Sequence, residues 1–403
     1  MKMPERRGQV KPRERVRAAL NHQEPDRVPL DLGATQVTSL TLVANDNLKE
    51  YLHLSAGGEV IACPLTECVQ PNEQVLQLFE TDFRTVRMKA PSEGGGRGFT
   101  AFGIERTPPG HEFVDDLGTV WRRILYDYAP VVYPFAGLTT SDLASFPWPN
   151  PYDPGRVKGL RAETQALRES TDYAIVTDIM VGGPFEQATR SRGAEQFMVD
   201  LAWDAQFAHT LLGKLTDVAI GMWDAQLSAI GDLVDVVCQG DDLGMQSGLQ
   251  VSPKMYREFV KPCHERIFSF IHSKTRAKVF LHSCGSVYSI LPDLIEVGVD
   301  ALNPVQVGAW NMGLERLKKE FGKEICFWGG GIDIQKLPFM TLEEVEKSVK
   351  HSLEVMAPGG GYVFAATHNI LPETPGEKIQ AAYMTAVRSR GYDEIKHKLE
   401  KSQ

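Results

Sequence analysis

The chain has 403 residues, of which 42% are hydrophobic and 24% charged, and its formal net charge is −9. This length suits two domains or one large barrel, and the negative charge argues against general binding to nucleic acid or to an anionic membrane. No apolar stretch reaches the roughly 18–20 residues that span a bilayer, and no signal-peptide pattern opens the chain, so a cytoplasmic location is expected. Six cysteines are too few for a disulfide framework, which leaves thiols free as metal ligands.

The first third of the chain has a less regular pattern than the rest. Its basic start, which includes Arg13, Arg15 and Arg17, is interpreted as the solvated beginning of an N-terminal helix within residues 1–27. Strands are predicted at 28–32 and 83–88. The stretch 92–154 is rich in glycine, proline and aromatic residues and is predicted to form an elaborated hairpin over one mouth of a barrel. We therefore expect residues 1–403 to form one domain.

From about residue 170 onward, short apolar segments alternate with helical ones. Strands are predicted at 173–178, 234–238, 278–281, 301–302, 325–328 and 362–366. Regular alternation of this kind is typical of parallel βα units, and near-continuous apolar strands indicate a sheet covered on both faces. No G-x-G-x-x-G follows a strand, which counts against an open doubly wound sheet. The predicted fold is α/β, a single (β/α)8 barrel with an elaborated N-terminal region.

A His-x-Cys pair, His282 and Cys284, ends the predicted strand at 278–281. Side chains two apart on an extended chain point to the same side, and imidazole nitrogen and thiolate sulfur are donors that Zn²⁺ prefers. His368 also lies where an apolar strand gives way to a loop, so it is the candidate for a third ligand. The alternative is that the pair only ends a strand while His368 binds backbone. The other cysteine pair, Cys63 and Cys68, is interpreted as buried or incidental thiols.

Polar residues at other strand ends form a second group of candidates. Carboxylates there can act as acids, bases, further ligands or binders of substrate, or can cap the next helix. Glycine there has no side chain and so leaves room for a ligand close to the backbone. The predicted catalytic residues are Asp178, Glu186 and Asp242, with Asp241 as a further strand-end carboxylate; the predicted substrate-binding residues are Asp333, Asn369 and Gly330.

Six blocks of the sequence resemble the uroporphyrinogen decarboxylase superfamily. They are the opening segment at 15–29, Gly182–Phe185, Ser252–Pro253 with Lys261–Pro262, the segments 282–285 and 330–333, and the closing segment 367–375. The resemblance implies a (β/α)8 barrel. Porphyrinogen decarboxylases of the family hold substrate carboxylates with arginines just after the opening block. This chain has none between Leu30 and Gln36, which counts against that substrate because its carboxylates would lack bidentate partners.

The resemblance to the zinc-dependent, corrinoid-linked methyltransferases is nearer. Their ligands are a His-x-Cys and a later cysteine, whose place His368 occupies here. The resemblance therefore implies Zn²⁺ on His282, Cys284 and His368, and methyl transfer between a small methyl donor or acceptor and a corrinoid (cobalamin) on a partner protein. Histidine in the third place favours an ether or phenolate oxygen at least as much as a thiol such as coenzyme M. O-demethylation and transfer to an acceptor both stay open, as does a homodimer.

Two other functions remain as alternatives. The first is a metal-independent decarboxylase that uses Asp31 or a strand-end carboxylate as acid, and its activity would not respond to chelators. The second is a non-catalytic corrinoid- or tetrapyrrole-binding protein on the same barrel.

Overall fold

The computed structural model describes residues 10–92, 108–125, 127–179 and 182–402. The strands in this part are β1 (Leu40–Thr41), β2 (Val60–Cys63), β3 (Cys68–Gln70), β4 (Phe83–Val86), β5 (Glu112–Val114), β6 (Val120–Arg123), β7 (Tyr128–Val132), β8 (Ala174–Thr177), β9 (Val236–Gly240), β10 (Gly244–Met245), β11 (Gly248–Leu249), β12 (Lys278–His282), β13 (Ala301–Asn303), β14 (Cys326–Trp328) and β15 (Tyr362–Val363).

The helices surround the strands. They are α1 (Pro12–Leu20), α2 (Leu42–Tyr51), α3 (Glu73–Leu78), α4 (Thr140–Ser145), α5 (Leu160–Ser170), α6 (Pro184–Arg192), α7 (Ala194–Trp203), α8 (Ala205–Ile230), α9 (Pro253–Met255), α10 (Lys261–Lys274), α11 (Leu291–Glu296), α12 (Leu314–Phe321), α13 (Leu342–Met356), α14 (Gly376–Ser389) and α15 (Tyr392–Ser402). Among the residues described, no helix combines the length and the apolar character that a membrane span requires.

The central sheet is parallel and has seven strands in the order β15-β14-β13-β12-β9-β8-β4. The segment 28–32 closes it: Leu30 forms a parallel bridge with Phe364, and the Asp82 N–H donates to the Leu30 carbonyl. The segment therefore lies between the first and last strands of the sheet and completes a barrel. The predicted (β/α)8 fold is confirmed.

The barrel interior is packed with side chains from alternate strand positions. Trp328 contacts Phe83 and Phe280, with ring centroids 4.7 and 4.9 Å apart. Because strand side chains alternate, His282, two residues after Phe280, also points inward, one layer nearer the carboxyl end of β12. The packed aromatic layer around Trp328 lies below His282, and the open carboxyl end of the barrel lies above it. This histidine therefore lies at the bottom of the region where barrel enzymes carry their chemistry.

Within the described part of 92–154, β5, β6 and β7 form an antiparallel sheet of three strands. The sheet is joined to the rest of the protein by backbone hydrogen bonds, from the Tyr128 N–H to Leu65 beside β2 and β3, and from the Phe135 N–H to Ser191 in α6. The described part of the predicted hairpin region thus packs against the barrel, and residues 93–107 and 126 lie outside the described residues.

The interpretation of the N-terminal basic residues as solvated is wrong for Arg15. This side chain is fully buried and pairs with Asp82 at 2.5 Å and with Asp26 at 2.7 Å. Arg13 and Arg17 pair with Asp235, which is itself buried. The arginines of α1 therefore attach the helix to the barrel, a role that the charge pattern alone does not reveal.

Candidate metal centre

His282, Cys284 and His368 meet at the carboxyl ends of the strands. One candidate ligand atom from each lies within 4.8 Å of the other two, and this is the one such group of three found in the described ranges. The Cys284 Sγ lies 3.4 Å from the His282 Nε2, and the two imidazole centroids are 5.1 Å apart. The structure thus brings the three predicted ligands together from two strand ends.

Asn303, at the end of β13, sets the proton position on His282. Its Nδ2 donates to the Trp328 carbonyl at 2.9 Å, which turns its Oδ1 toward His282. That oxygen lies 2.6 Å from the His282 Nδ1, so Nδ1 carries the hydrogen and donates it. The Nε2 lone pair is then left facing Cys284, as a metal-ligating histidine requires.

His368 needs one rearrangement to act as a ligand. Its Nδ1 accepts the Asn369 N–H at 2.7 Å, so the neutral ring carries its proton on Nε2. Ligation through either nitrogen breaks this hydrogen bond or moves the proton. We therefore expect His368 to be the weaker of the two imidazole ligands.

The electrostatics of the three side chains suit a cation. Burial lowers the pKa of both His282 and His368, which keeps the imidazoles neutral. Burial, followed by the charges of Asp242 and Glu186, raises the pKa of the Cys284 thiol. A divalent ion would reverse this effect on the thiol, since a metal-bound cysteine is a thiolate. The donor set therefore fits Zn²⁺, which takes three protein ligands and leaves one position open in its catalytic sites.

The pattern of the uroporphyrinogen decarboxylase (URO-D) family matches residues 123–389. The chain belongs to this family. It is similar to the methylated-thiol–coenzyme M methyltransferase of Methanosarcina mazei, at 24% identity over 244 residues, which are 60% of this chain and 62% of that protein. It is also similar to the uroporphyrinogen decarboxylase of Nocardia farcinica, at 27% identity over 253 residues, 59% of this chain and 65% of that protein.

These two curated relatives are matched over less than two thirds of their length. A solved structure, a methyltransferase from Methanosarcina mazei, has the same fold as this URO-D family chain. It superposes with a TM-score of 0.61 at 18% identity, covering 94% of this chain and 99% of that one. The family and the barrel are thus shown, and the similarity extends to relatives of two different activities.

Asp242 and Glu186 lie beside the three ligands. The Cys284 N–H donates to the Asp242 Oδ1 at 2.9 Å, and this oxygen is 3.8 Å from the His282 Nε2. Although burial opposes ionisation, the hydrogen bond from the Cys284 N–H and the charge of Arg190 lower the pKa of Asp242. Burial, reinforced by Asp242, raises the pKa of Glu186 to about 8 despite its ion pair with Arg190. Asp242 is thus held ionised, whereas Glu186 keeps its proton to a higher pH than an ordinary glutamate.

The side chains of Asp178 and Asn369 form hydrogen bonds with the backbone around residue 36. The Gln36 N–H donates to both carboxylate oxygens of Asp178, which also pairs with Arg87 at 2.8 Å. Asn369 accepts from the Ser39 N–H and donates to the Gln36 carbonyl. Both side chains therefore fix the mouth of the barrel, and their predicted roles in catalysis and substrate binding stay predictions.

Gly330 and Asp333 follow β14. Gly330 has φ +71°, and a Cβ there would lie 2.9 Å from the Val305 Cβ, so backbone conformation and packing both require glycine. Asp333 lines a cavity together with Cys284 and His368. Its placement is consistent with substrate binding, whereas the conformation of Gly330 is explained without a ligand.

Asn303 and His264 are two residues of this region that the sequence patterns did not single out. Asn303 could have been found, since it ends an apolar strand as His282 does. His264 lies within α10, where no pattern marks it; its Nε2 is 2.8 Å from the Asp241 Oδ2, and the other oxygen of Asp241 accepts the Glu186 N–H. Asp241 thus holds the start of α6, and through it Glu186, in place.

Cys63 and Cys68 face each other across the β2–β3 pair and are buried, as predicted. Within the described ranges no group of three potential metal ligands includes either of them. Cys68 donates from its Sγ to the Gln36 carbonyl at 2.9 Å. The pair thus supports the same segment that Asp178 and Asn369 hold.

Proposed function

We propose that this protein transfers a methyl group between a small methylated compound and a corrinoid carried by a partner protein, with Zn²⁺ held by His282, Cys284 and His368. The observation that carries the proposal is the convergence of these three side chains, with ligand atoms within 4.8 Å, at the carboxyl end of the barrel. The similarity to a methyltransferase of the same family supports it. The corrinoid and its carrier rest on the resemblance of the sequence blocks.

When bound, zinc would supply Lewis-acid stabilisation of the heteroatom that carries or receives the methyl group. The protein's own residues do the rest. Asn303 orients the His282 ring so that Nε2 faces Cys284. Asp242 orients the loop that carries Cys284 by accepting the Cys284 N–H. Glu186, whose pKa burial raises to about 8, is assigned as the acid that gives a proton to the departing oxygen of a methyl ether.

Metal content tests this proposal first. Protein purified without chelator is expected to contain about one zinc per chain, and the His282→Ala/Cys284→Ala variant to contain none, because two of three ligands are gone. A His351→Ala/Cys326→Ala variant is the matched control, since His351 is exposed on α13 and Cys326 begins β14 at the opposite end of the barrel. Elemental analysis gives the stoichiometry, and methoxylated compounds with cob(I)alamin as acceptor then test methyl transfer.

Two results would contradict the proposal. The first is absence of zinc from the wild type even after reconstitution under reducing conditions. The second is decarboxylase activity that persists after a chelator has removed all metal from the protein. This result would favour the decarboxylase alternative.

The decarboxylase alternative is weakened by the position of Asp31. This carboxylate is fully buried, accepts from the Ala34 N–H and the Trp328 Nε1–H at 2.7 Å each, and lies against the packed interior of the barrel. The segment around it, Leu30–Gln36, is buried as well and supplies no arginine.

The buried Asp31 makes stability depend on pH. Burial raises its pKa to about 7, whereas an aspartate in the unfolded chain loses its proton near pH 4. Between these values the unfolded state binds fewer protons than the folded one, so this group's contribution to stability falls as pH rises and is constant above and below. Urea unfolding of wild type and Asp31→Asn across pH 4 to 8 should show a difference between them that declines only in this window. A difference that does not vary with pH would contradict the assignment.

A further inference from the structure

A cavity of about 380 Å³ opens beside the proposed metal ligands Cys284 and His368. Its size is that of sites that enclose a small organic molecule. A larger cavity, of about 840 Å³, lies at the amino ends of the strands, around Asp235 and Lys278, on the far side of the barrel from these ligands. The smaller cavity is therefore the one that a methyl donor bound at the ligand set would occupy.

The described lining of this smaller cavity carries a negative charge and no positively charged side chain. Among the described residues that line it there is no lysine or arginine; the polar side chains are Gln246, Gln306, Gln335, Thr367 and a single carboxylate, Asp333. The cation nearest to that carboxylate is Lys336, at 3.6 Å from the Asp333 Oδ2, and its side chain is 71% exposed. An ion pair this exposed contributes little, so Asp333 keeps a negative field in the cavity.

Resting on the proposed methyl transfer, we propose that this cavity holds the part of the methyl donor beyond its methyl-bearing atom, and that this part is neutral or cationic rather than a carboxylate or sulfonate. Away from the metal ligands, an anion placed here would lose its hydration, meet no positively charged side chain among the described lining residues and face Asp333. A neutral ring or an ammonium group would meet amide and hydroxyl groups and one carboxylate. The inference separates this chain from enzymes that recognise anionic donors or acceptors.

The cavity offers a position at which the charge can be changed without disturbing the fold. Gly308 lines it with an ordinary φ, and a Cβ built there has no other atom within 4 Å. Lysine at 308 would thus add a positive charge in open space. Alanine at 308 is its matched control, because it adds bulk without charge.

The experiment measures binding of three ligands of nearly equal size: 3-methoxybenzylamine, 3-methoxybenzyl alcohol and 3-methoxybenzoate. At neutral pH they are cationic, neutral and anionic. Ligand-observed NMR titrations are made with protein as purified and with protein treated with a chelator, so that a carboxylate cannot bind through the metal. The order of the three affinities in the chelator-treated protein tests whether the cavity prefers neutral and cationic ligands.

We expect the amine and the alcohol to bind at least about tenfold more tightly than the benzoate, the size expected of one partly screened charge. Asp333→Asn should weaken the amine severalfold and leave the alcohol unchanged. Gly308→Lys should strengthen the benzoate about tenfold, while Gly308→Ala leaves the ranking as in wild type.

Benzoate binding as tightly as the amine in chelator-treated wild type would overturn the inference, as would absence of binding by all three ligands. Neither result affects the proposed function, which is tested by zinc content and by methyl transfer to cob(I)alamin. Loss of the zinc site, conversely, would leave the ranking in chelator-treated protein unchanged.

Discussion

Replacing Asp82 with asparagine is expected to lower the free energy of unfolding by about 3–5 kcal/mol, the usual cost of removing one partner from a buried ion pair. Asp82 is 1% exposed and holds two arginines that are themselves buried, Arg15 at 2.5 Å and Arg390 at 3.4 Å. It also accepts the Leu30 N–H at 2.8 Å. The substitution therefore leaves two positive charges underbalanced at the seam where segment 28–32 closes the barrel.

The ion pairs themselves need not be strongly stabilising. Burial raises the pKa of Asp82 in spite of both arginines, so the attraction only partly offsets the loss of hydration. The double variant Arg15→Met/Asp82→Leu should accordingly lose less stability than the sum of its single changes. Denaturant unfolding measures the free energy of unfolding of the single and double variants. The control is Asp172→Asn, which breaks an exposed pair with Lys11 and should cost no more than about 1 kcal/mol. Equal losses in Asp82→Asn and the control would contradict this account.

Replacing Asn303 with leucine is expected to weaken zinc binding about 10- to 100-fold, the usual effect of losing a partner that orients a ligand. The asparagine accepts the His282 Nδ1–H and is itself fixed by the Trp328 carbonyl. Without it, the His282 ring can rotate or move its proton to Nε2, the nitrogen that faces Cys284. Competition with a chromophoric chelator measures the change in affinity.

A loss of stability alone must not be mistaken for this effect. Asn72→Ala serves as control, because Asn72 caps α3 through the Val75 N–H and does not belong to the ligand set. It should lower stability with no change in zinc affinity. If Asn303→Leu binds zinc as tightly as wild type, the His282 tautomer is not set by Asn303.

The fold and the three side chains that meet at the barrel mouth could be predicted from the sequence, whereas the contacts that orient them could not; the role of these side chains as zinc ligands stays a proposal. Apolar runs that end in His, Cys or Asp predict both a strand and its functional end, because the strands of a parallel barrel end at one mouth. The predicted strand at 28–32 forms a single bridge at Leu30 and otherwise pairs irregularly. Strand pairing of that kind depends on partners distant in the chain, which no local pattern contains.

Charge patterns were less informative than apolar ones. A run of arginines predicts a solvated helix face, but the same pattern occurs when an arginine pairs with a buried aspartate, as Arg15 does with Asp82. The same limit applies to Asp178 and Asn369. A polar residue after a strand has the same appearance in sequence whether it faces a ligand or the backbone of another loop, here that of Gln36.

The closing segment also bears on the order in which the protein matures. Ser39 and Asn369, which join the two ends of the chain at the barrel mouth, are 330 positions apart. During synthesis on the ribosome, residues 28–39 emerge more than 300 residues before Phe364 and Asn369, with which this segment pairs. Contacts so distant in sequence form slowly, and His368 gains its neighbours in the same step. The three proposed metal ligands therefore come together only after the segments around Ser39 and Asn369 have joined.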